Sequence, residues 1–166
     1  MKVLGIDPGS RACGFGLVET DAGTLTAIDF GVWRETTGVL SRRLELLFAR
    51  AERFLADRRP DAVALETVFS GKSVASAVAL SHARGVVLLA AARAGLPTFE
   101  YAPLTIKKTI TGYGRAEKPQ VREMVRSLLS TGGAVIPLDA ADALATAICH
   151  CHHATAPTFD RRGAAC

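Results

Sequence analysis

Asp61-Ala62-Val63-Ala64-Leu65-Glu66 is a run of four apolar residues with a carboxylate at each end, and Pro60 stands just before it. A short apolar run bounded by a breaker reads as a buried strand. The preceding segment, residues 40–58, reads as a helix, because Leu40, Leu44, Leu47, Phe48, Ala51, Phe54 and Leu55 fall on one stripe while Ser41 and basic residues fill the other face. A strand reached through a helix is expected to run parallel to an earlier strand.

Towards the N-terminus, residues 2–7 form another apolar run, ending in the turn signal Asp7-Pro8-Gly9. Residues 13–20 and 24–34 read as two more strands, joined as a hairpin by Asp21-Ala22-Gly23. Towards the C-terminus, residues 72–94 read as a long helix rich in Ala and Ser, stopped by Gly95-Leu96-Pro97. A fifth strand is expected at 97–101, then basic helices near 103–111 and 118–129, and a last helix at about 139–153. The order β-β-β-α-β-α-β-α-α-α predicts an α/β fold with a five-stranded mixed sheet flanked by helices. Residues 1–156 are expected to form one domain and 157–166 a disordered tail, with no internal repeat.

The 166 residues are 49% hydrophobic and 22% charged, values of an ordinary globular domain. No apolar run reaches the roughly 18 residues that span a bilayer. The apolar stretch at the N-terminus is too short for a signal peptide, so the expected location is cytoplasmic. Four cysteines, Cys13, Cys149, Cys151 and Cys166, give no disulfide framework and are expected to be free thiols. The run Cys149-His150-Cys151-His152-His153 does not suit zinc. Neighbours on a helix step by about 100°, so five in a row point in all directions. A helix end with partly buried Cys and exposed His is the expectation.

The net charge is +4. Residues 101–130 hold six basic residues (Lys107, Lys108, Arg115, Lys118, Arg122, Arg126) against Glu117 and Glu123, and the rest of the chain carries 14 of each sign. All the excess positive charge therefore lies in one stretch, which suits a phosphate backbone; a solvated helix face would look the same.

Asp7 and Glu66 each end an apolar strand, and in open α/β sheets ligands collect beyond that end. If the two strands are neighbours, about 4.8 Å apart, the carboxylates lie side by side. Asp139 and Asp142 are spaced i, i+3, about 60° apart on a helix, and share a face. Each has an ordinary alternative: Asp7 could simply initiate a turn, and Asp139 could cap a helix. Glu66 and Asp142 interrupt apolar segments where no charge is expected. Two like charges 4 Å apart repel by roughly 4 kcal/mol at an effective dielectric of about 20, so a cluster of four calls for cations or protons. All-oxygen ligands favour Mg²⁺, with Mn²⁺ as a substitute, and two such ions can activate water and stabilise the leaving oxygen of a phosphodiester. Acids beside a basic patch therefore point to phosphoryl chemistry on nucleic acid. One half of an actin-like or sugar-kinase ATPase is a rival, but the chain is short for two lobes. A non-catalytic DNA binder is another, but DNA binding gains nothing from four acids.

The same residues carry a resemblance. Gly5-Ile6-Asp7-Pro8-Gly9-Ser10, Glu66-Thr67-Val68-Phe69, Ala83-Arg84-Gly85-Val86, the stretch around Lys107 and Lys118, and Asp139-Ala140-Ala141-Asp142-Ala143-Leu144 resemble, in order, the motifs of the RuvC crossover-junction endodeoxyribonucleases. The resemblance covers residues 1 to about 153. It implies a ribonuclease H-like fold and a homodimer that resolves Holliday junctions by paired, symmetric cuts in DNA recombination and repair. It implies as partners four-way junction DNA and a branch-migration motor. Asp7, Glu66, Asp139 and Asp142 would be the catalytic acids and would hold the metal ions. Phe69 would wedge against a base, and Lys107 and Lys118 would contact the backbone. Lys72, Lys108 and Arg115 complete the expected DNA-contact set. The residues alone allow a core role for Phe69 and plain surface charge for Lys107 and Lys108. Ser73 and His82 stand where Asn and Gln are expected in such proteins, and residues 131–137 are unusual, which bears on fine DNA contacts and sequence preference.

Overall fold

Alternation along the N-terminal run sets the first layer of the fold. Strand β1 (Lys2–Asp7) sends Leu4 and Ile6 to one face of the sheet and Val3, Gly5 and Asp7 to the other. The structure is a computed structural model and describes residues 1–67, 74–129 and 134–155. β2 (Ala12–Asp21) and β3 (Thr24–Arg34) follow as the expected hairpin, turning at Ala22 and Gly23, both with positive φ. Helix α1 (Leu40–Arg58) leads to β4 (Ala62–Glu66), which pairs parallel to β1. Helix α2 (Val74–Arg93) leads to β5 (Thr98–Tyr101), parallel to β4. Helices α3 (Pro103–Thr111), α4 (Lys118–Leu128) and α5 (Leu138–Thr155) complete the chain. The sheet order is β3-β2-β1-β4-β5, a five-stranded mixed sheet as the sequence predicted.

The two faces carry separate cores. On one, Leu4, Ile6, Phe15, Leu17, Val63 and Leu65 meet Leu47, Ala51 and Leu55 of α1 and Ala83, Val87 and Ala90 of α2. Phe15 stacks on Trp33 with ring centroids 4.7 Å apart, and Phe54 of α1 meets Phe15 edge-on at 5.1 Å. On the other face α5 lies across β1 and β2, and α3 and α4 pack over α5.

Glycine decides how closely α5 approaches. Gly5 of β1 and Gly16 of β2 are partners in the ladder. A Cβ on Gly5 would lie 1.9 Å from the Ala143 carbonyl oxygen, and one on Gly16 would run 2.6 Å from the Leu144 side chain. Gly14 repeats the pattern, with the Asp139 carbonyl oxygen 2.0 Å from where its Cβ would be. The helix backbone therefore rests directly on the sheet.

One sequence expectation is corrected here. Cys149 and Cys151 are fully buried rather than partly so, and His150 is buried rather than exposed. Sheet and helices enclose α5 from both sides, so His150 faces β5: its Nδ1 lies 2.7 Å from the Tyr101 hydroxyl and its ring 4.3 Å from Phe99. Burial, with the charge of His153 second, lowers its pKa. His152 and His153 are exposed, as expected. Cys13, Cys149 and Cys151 are buried and form no disulfide among the described residues. The expected tail at 157–166 lies outside the described residues.

Candidate active site

β1 and β4 run side by side, Ile6 opposite Leu65 in the ladder. The next residues along are Asp7 and Glu66, and alternation puts both on the face that α5 covers. Asp7 is also the ladder partner of Gly14, against which the Asp139 backbone rests. That packing brings the first turns of α5 over the C-terminal ends of β1 and β4. Asp142, one turn beyond Asp139, then reaches the same place.

The result is a cavity of about 280 Å³ lined by Asp7, Glu66 and Asp142 with Lys107 of α3 and Lys118 of α4; Ile106 and Val121 form part of its apolar wall. Asp139 is not among the lining residues, but its charge acts on Asp7. A larger cavity, about 590 Å³, opens at the opposite end of the strands beside Leu55, Pro60 and Leu96. Among the described residues, the charged side chains lining it are Glu52, Arg59 and Arg93, with Arg93 and Glu52 paired at 3.2 Å. It gathers no acid cluster, so size does not identify the site here and chemistry does.

Asp7 records burial first and the crowding of charge second. Burial above all, then the negative charges of Asp142 and Glu66, push its carboxyl from 3.8 up to about 7, while Lys118 pulls it down and Asp139 adds a smaller upward push. Lys118 supplies the local compensation. Its Nζ donates to Asp142 Oδ2 at 2.7 Å, and that bond, with the charges of Asp142, Asp7 and Glu66, holds its pKa above the usual lysine value against a smaller loss from burial. Gln120 fixes the start of α4 by accepting from the Glu117 backbone N–H at 2.9 Å, which places Lys118 at the helix N-terminus.

A residue the sequence assigned only to a motif has a clear place. Arg84 of α2 has a mostly buried side chain, donates to the Glu66 carbonyl oxygen at 2.8 Å and pairs with Glu100 of β5. It ties the end of β4 to α2 and β5, so it positions the strand end that carries Glu66. Only a basic residue in an apolar helix hints at this.

The other expected DNA-contact residues fall in different places. Lys108 faces away from the acids, beside Leu104, Thr109 and His153. Arg115 is exposed in the turn before α4. Phe69, Lys72 and Ser73 lie outside the described residues, as do 131–133 of the unusual segment.

The donor set fits a hard divalent cation: all oxygen, excess negative charge, and a carboxyl too buried, and then too crowded, to ionise easily. As the side chains stand, no three His, Cys, Asp or Glu among the described residues are grouped so as to hold an ion. Asp142 holds an ammonium instead. Like charges do not close up without a cation between them.

Carboxylates that line one cavity at the ends of parallel strands, with lysines from two basic helices facing them, are an arrangement suited to phosphodiester chemistry on an α/β domain. A profile of the family crossover junction endodeoxyribonuclease RuvC matches residues 3–150. The chain belongs to the RuvC family. It is 44% identical over 153 residues to the crossover junction endodeoxyribonuclease RuvC of Desulfitobacterium hafniense, covering 92% of this chain and 93% of that one. It is 46% identical over 156 residues to the protein of the same name from Heliobacterium modesticaldum, covering 93% and 96%. The structure of Thermus thermophilus RuvC in complex with Holliday junction substrate superposes with a TM-score of 0.87 at 35% identity, over 93% of this chain and 94% of that one. The fold is the ribonuclease H-like fold of the RuvC resolvases. The yeast mitochondrial Holliday junction resolvase Ydc2, at 14% identity and a TM-score of 0.60, shares the fold. No helix among the described residues is long and apolar enough to cross a membrane.

Proposed function

We propose that this chain is a divalent-metal-dependent endonuclease that resolves Holliday junctions in DNA recombination and repair. The observation that carries the reading is the shared cavity of Asp7, Glu66 and Asp142, with Lys107 and Lys118 on its rim. Family membership and the junction-bound Thermus relative support it.

Asp7, Glu66 and Asp142, with Asp139 alongside, are the residues that would hold Mg²⁺, with Mn²⁺ as a substitute and two ions as the expected number. Bound there, such ions supply a water nucleophile and charge stabilisation for the leaving oxygen. The chain's own side chains do the rest. Lys107 and Lys118 attract the scissile phosphate, and Lys108 and Arg115 extend the positive surface along the duplex. Phe69 would stack on a base at the junction centre, for roughly 1–3 kcal/mol.

A junction needs two cuts, and a two-fold dimer presents two identical sites to it. A stripe on α2 supports this. Val78, Gly85 and Leu89 are exposed, and a Cβ on Gly85 would meet nothing within 4 Å. Val78 and Leu89 are half-exposed apolar side chains on a helix whose other side is in the core, so a second copy of α2 is the proposed cover. A cytoplasmic location and a branch-migration motor as partner rest on the family resemblance.

The deciding experiment incubates the protein with a synthetic four-way junction in Mg²⁺ or in chelator. Paired nicks at symmetric positions in Mg²⁺ and none in chelator support the reading. Equal cutting of a linear duplex, or cutting in chelator, overturns it.

A further inference from the structure

Lys118 is placed against the preferences of its own helix. It is the first residue of α4, at the positive end of the helix dipole, where a carboxylate is favoured and an ammonium is not. It is followed by Pro119, and its side chain is largely exposed, so the hydrophobic core gains little from it. Its ammonium lies 2.7 Å from Asp142 Oδ2, and its charge acts also on Asp7 and Glu66. A divalent ion bound to these acids would face that ammonium at close range with the same sign of charge. Two cations cannot share Asp142 at such separations without strong repulsion.

We propose that Lys118 is a built-in counter-ion: it neutralises the acids of the ion-free site, competes with the divalent ion for Asp142, and is released towards the DNA phosphate when the ion enters. The proposal rests on the reading above, that these acids hold the ion. Its consequence is a coupling between ion and DNA. Ion entry frees a positive charge for phosphate, and DNA that engages Lys118 clears Asp142 for the ion. Linkage makes the two effects equal in size.

The test is a calorimetric titration of the protein with Mn²⁺ in the absence of DNA, for wild type and for Lys118→Met, Lys107→Met and Asp7→Asn. Thermal melts check that each is folded. The expected result is that Lys118→Met binds Mn²⁺ about fivefold more tightly than wild type, the loss of one paired cation. Lys107→Met, which removes a charge from the same cavity but not the partner of Asp142, should tighten it less. Weaker or unchanged binding by folded Lys118→Met overturns the proposal, as does equal tightening in the two lysine variants. Absence of binding by both wild type and Lys118→Met also overturns it. Asp7→Asn separates the two levels. If it binds Mn²⁺ as well as wild type, the assignment of the acids as ion ligands fails; if it binds poorly while Lys118→Met is unchanged, only the counter-ion role falls.

Discussion

Asp7 stands opposite Gly14 in the ladder of β1 and β2, and the space where a Gly14 side chain would be is taken by the backbone of Asp139. One carboxylate is thus carried by a strand, and another by the helix that the neighbouring strand lets in. Replacing Asp7 with Asn keeps the size and removes the charge. Cleavage of a four-way junction in Mg²⁺ should fall by about 10²- to 10³-fold or more, the usual loss when a transition-state charge partner is removed. Junction binding in a gel-shift assay should persist, because the role proposed for this acid is to hold metal and not DNA. A variant that cuts at the wild-type rate would remove Asp7 from its role.

The same carboxylate should cost stability. Its folded pKa of about 7 lies above the ordinary 3.8, so the native state holds the proton more tightly than the unfolded chain. Stability from this group is therefore complete below about pH 4 and is lost as pH rises through 7. In chelator, Asp7→Asn should be more stable than wild type at pH 8, by about 1–3 kcal/mol, and the gap should narrow as pH falls towards 4. Denaturant unfolding at the two pH values measures this directly.

Gly5 offers a stability contrast with Gly85. Gly5→Ala puts a methyl where the Ala143 carbonyl lies, so α5 must lift from the sheet. A loss of about 3 kcal/mol is expected, with reduced cleavage because Asp139 and Asp142 move with the helix. Gly85 sits in helix α2 with open space around it, and Gly85→Ala should stabilise the isolated chain by about 0.5–1 kcal/mol. Urea midpoints that fall together for both variants would contradict the close-packing account.

If α2 covers its own copy, a charge on its outer stripe should split the dimer. Leu89 is half-exposed, so Leu89→Glu should leave the chain folded, with a melting temperature lowered only by the lost association. In sedimentation it should run as a monomer, and junctions should receive single nicks rather than paired ones. A variant that remains dimeric would move the interface elsewhere.

Lys107 lines the acid cavity, whereas Lys108 faces another surface. Lys107→Ala should slow cleavage more than Lys108→Ala. Each should weaken junction binding and lower the salt dependence by about one unit of log slope for each phosphate that is no longer neutralised. Titrations at several salt concentrations separate this from sequence-specific effects.

Much of this is readable in the chain. The strand ends at Asp7 and Glu66 are legible because apolar runs stop there, and the intervening helix sets them parallel. The i, i+3 spacing puts Asp139 and Asp142 on one face. What cannot be read needs register. Gly5, Gly14 and Gly16 look like scattered small residues until the ladder pairs Gly5 with Gly16 and Asp7 with Gly14. Lys118 and Asp142 are 24 positions apart, so their bond depends on how α4 leans over α5. His150 misleads because a helix end ordinarily has a wet side, and α5 is covered on both.

The seat of α5 on bare glycine has a bearing on how steady the proposed reaction centre is. Side chains hop between rotamers and can be repacked by a neighbour's substitution, but main chain against main chain has no such slack. Asp7 rides on one of those two surfaces, and Asp139 and Asp142 on the other. The gauge between them is therefore set by the thickness of a peptide bond, and temperature or mutation in either core must shift a whole helix before it can alter that spacing.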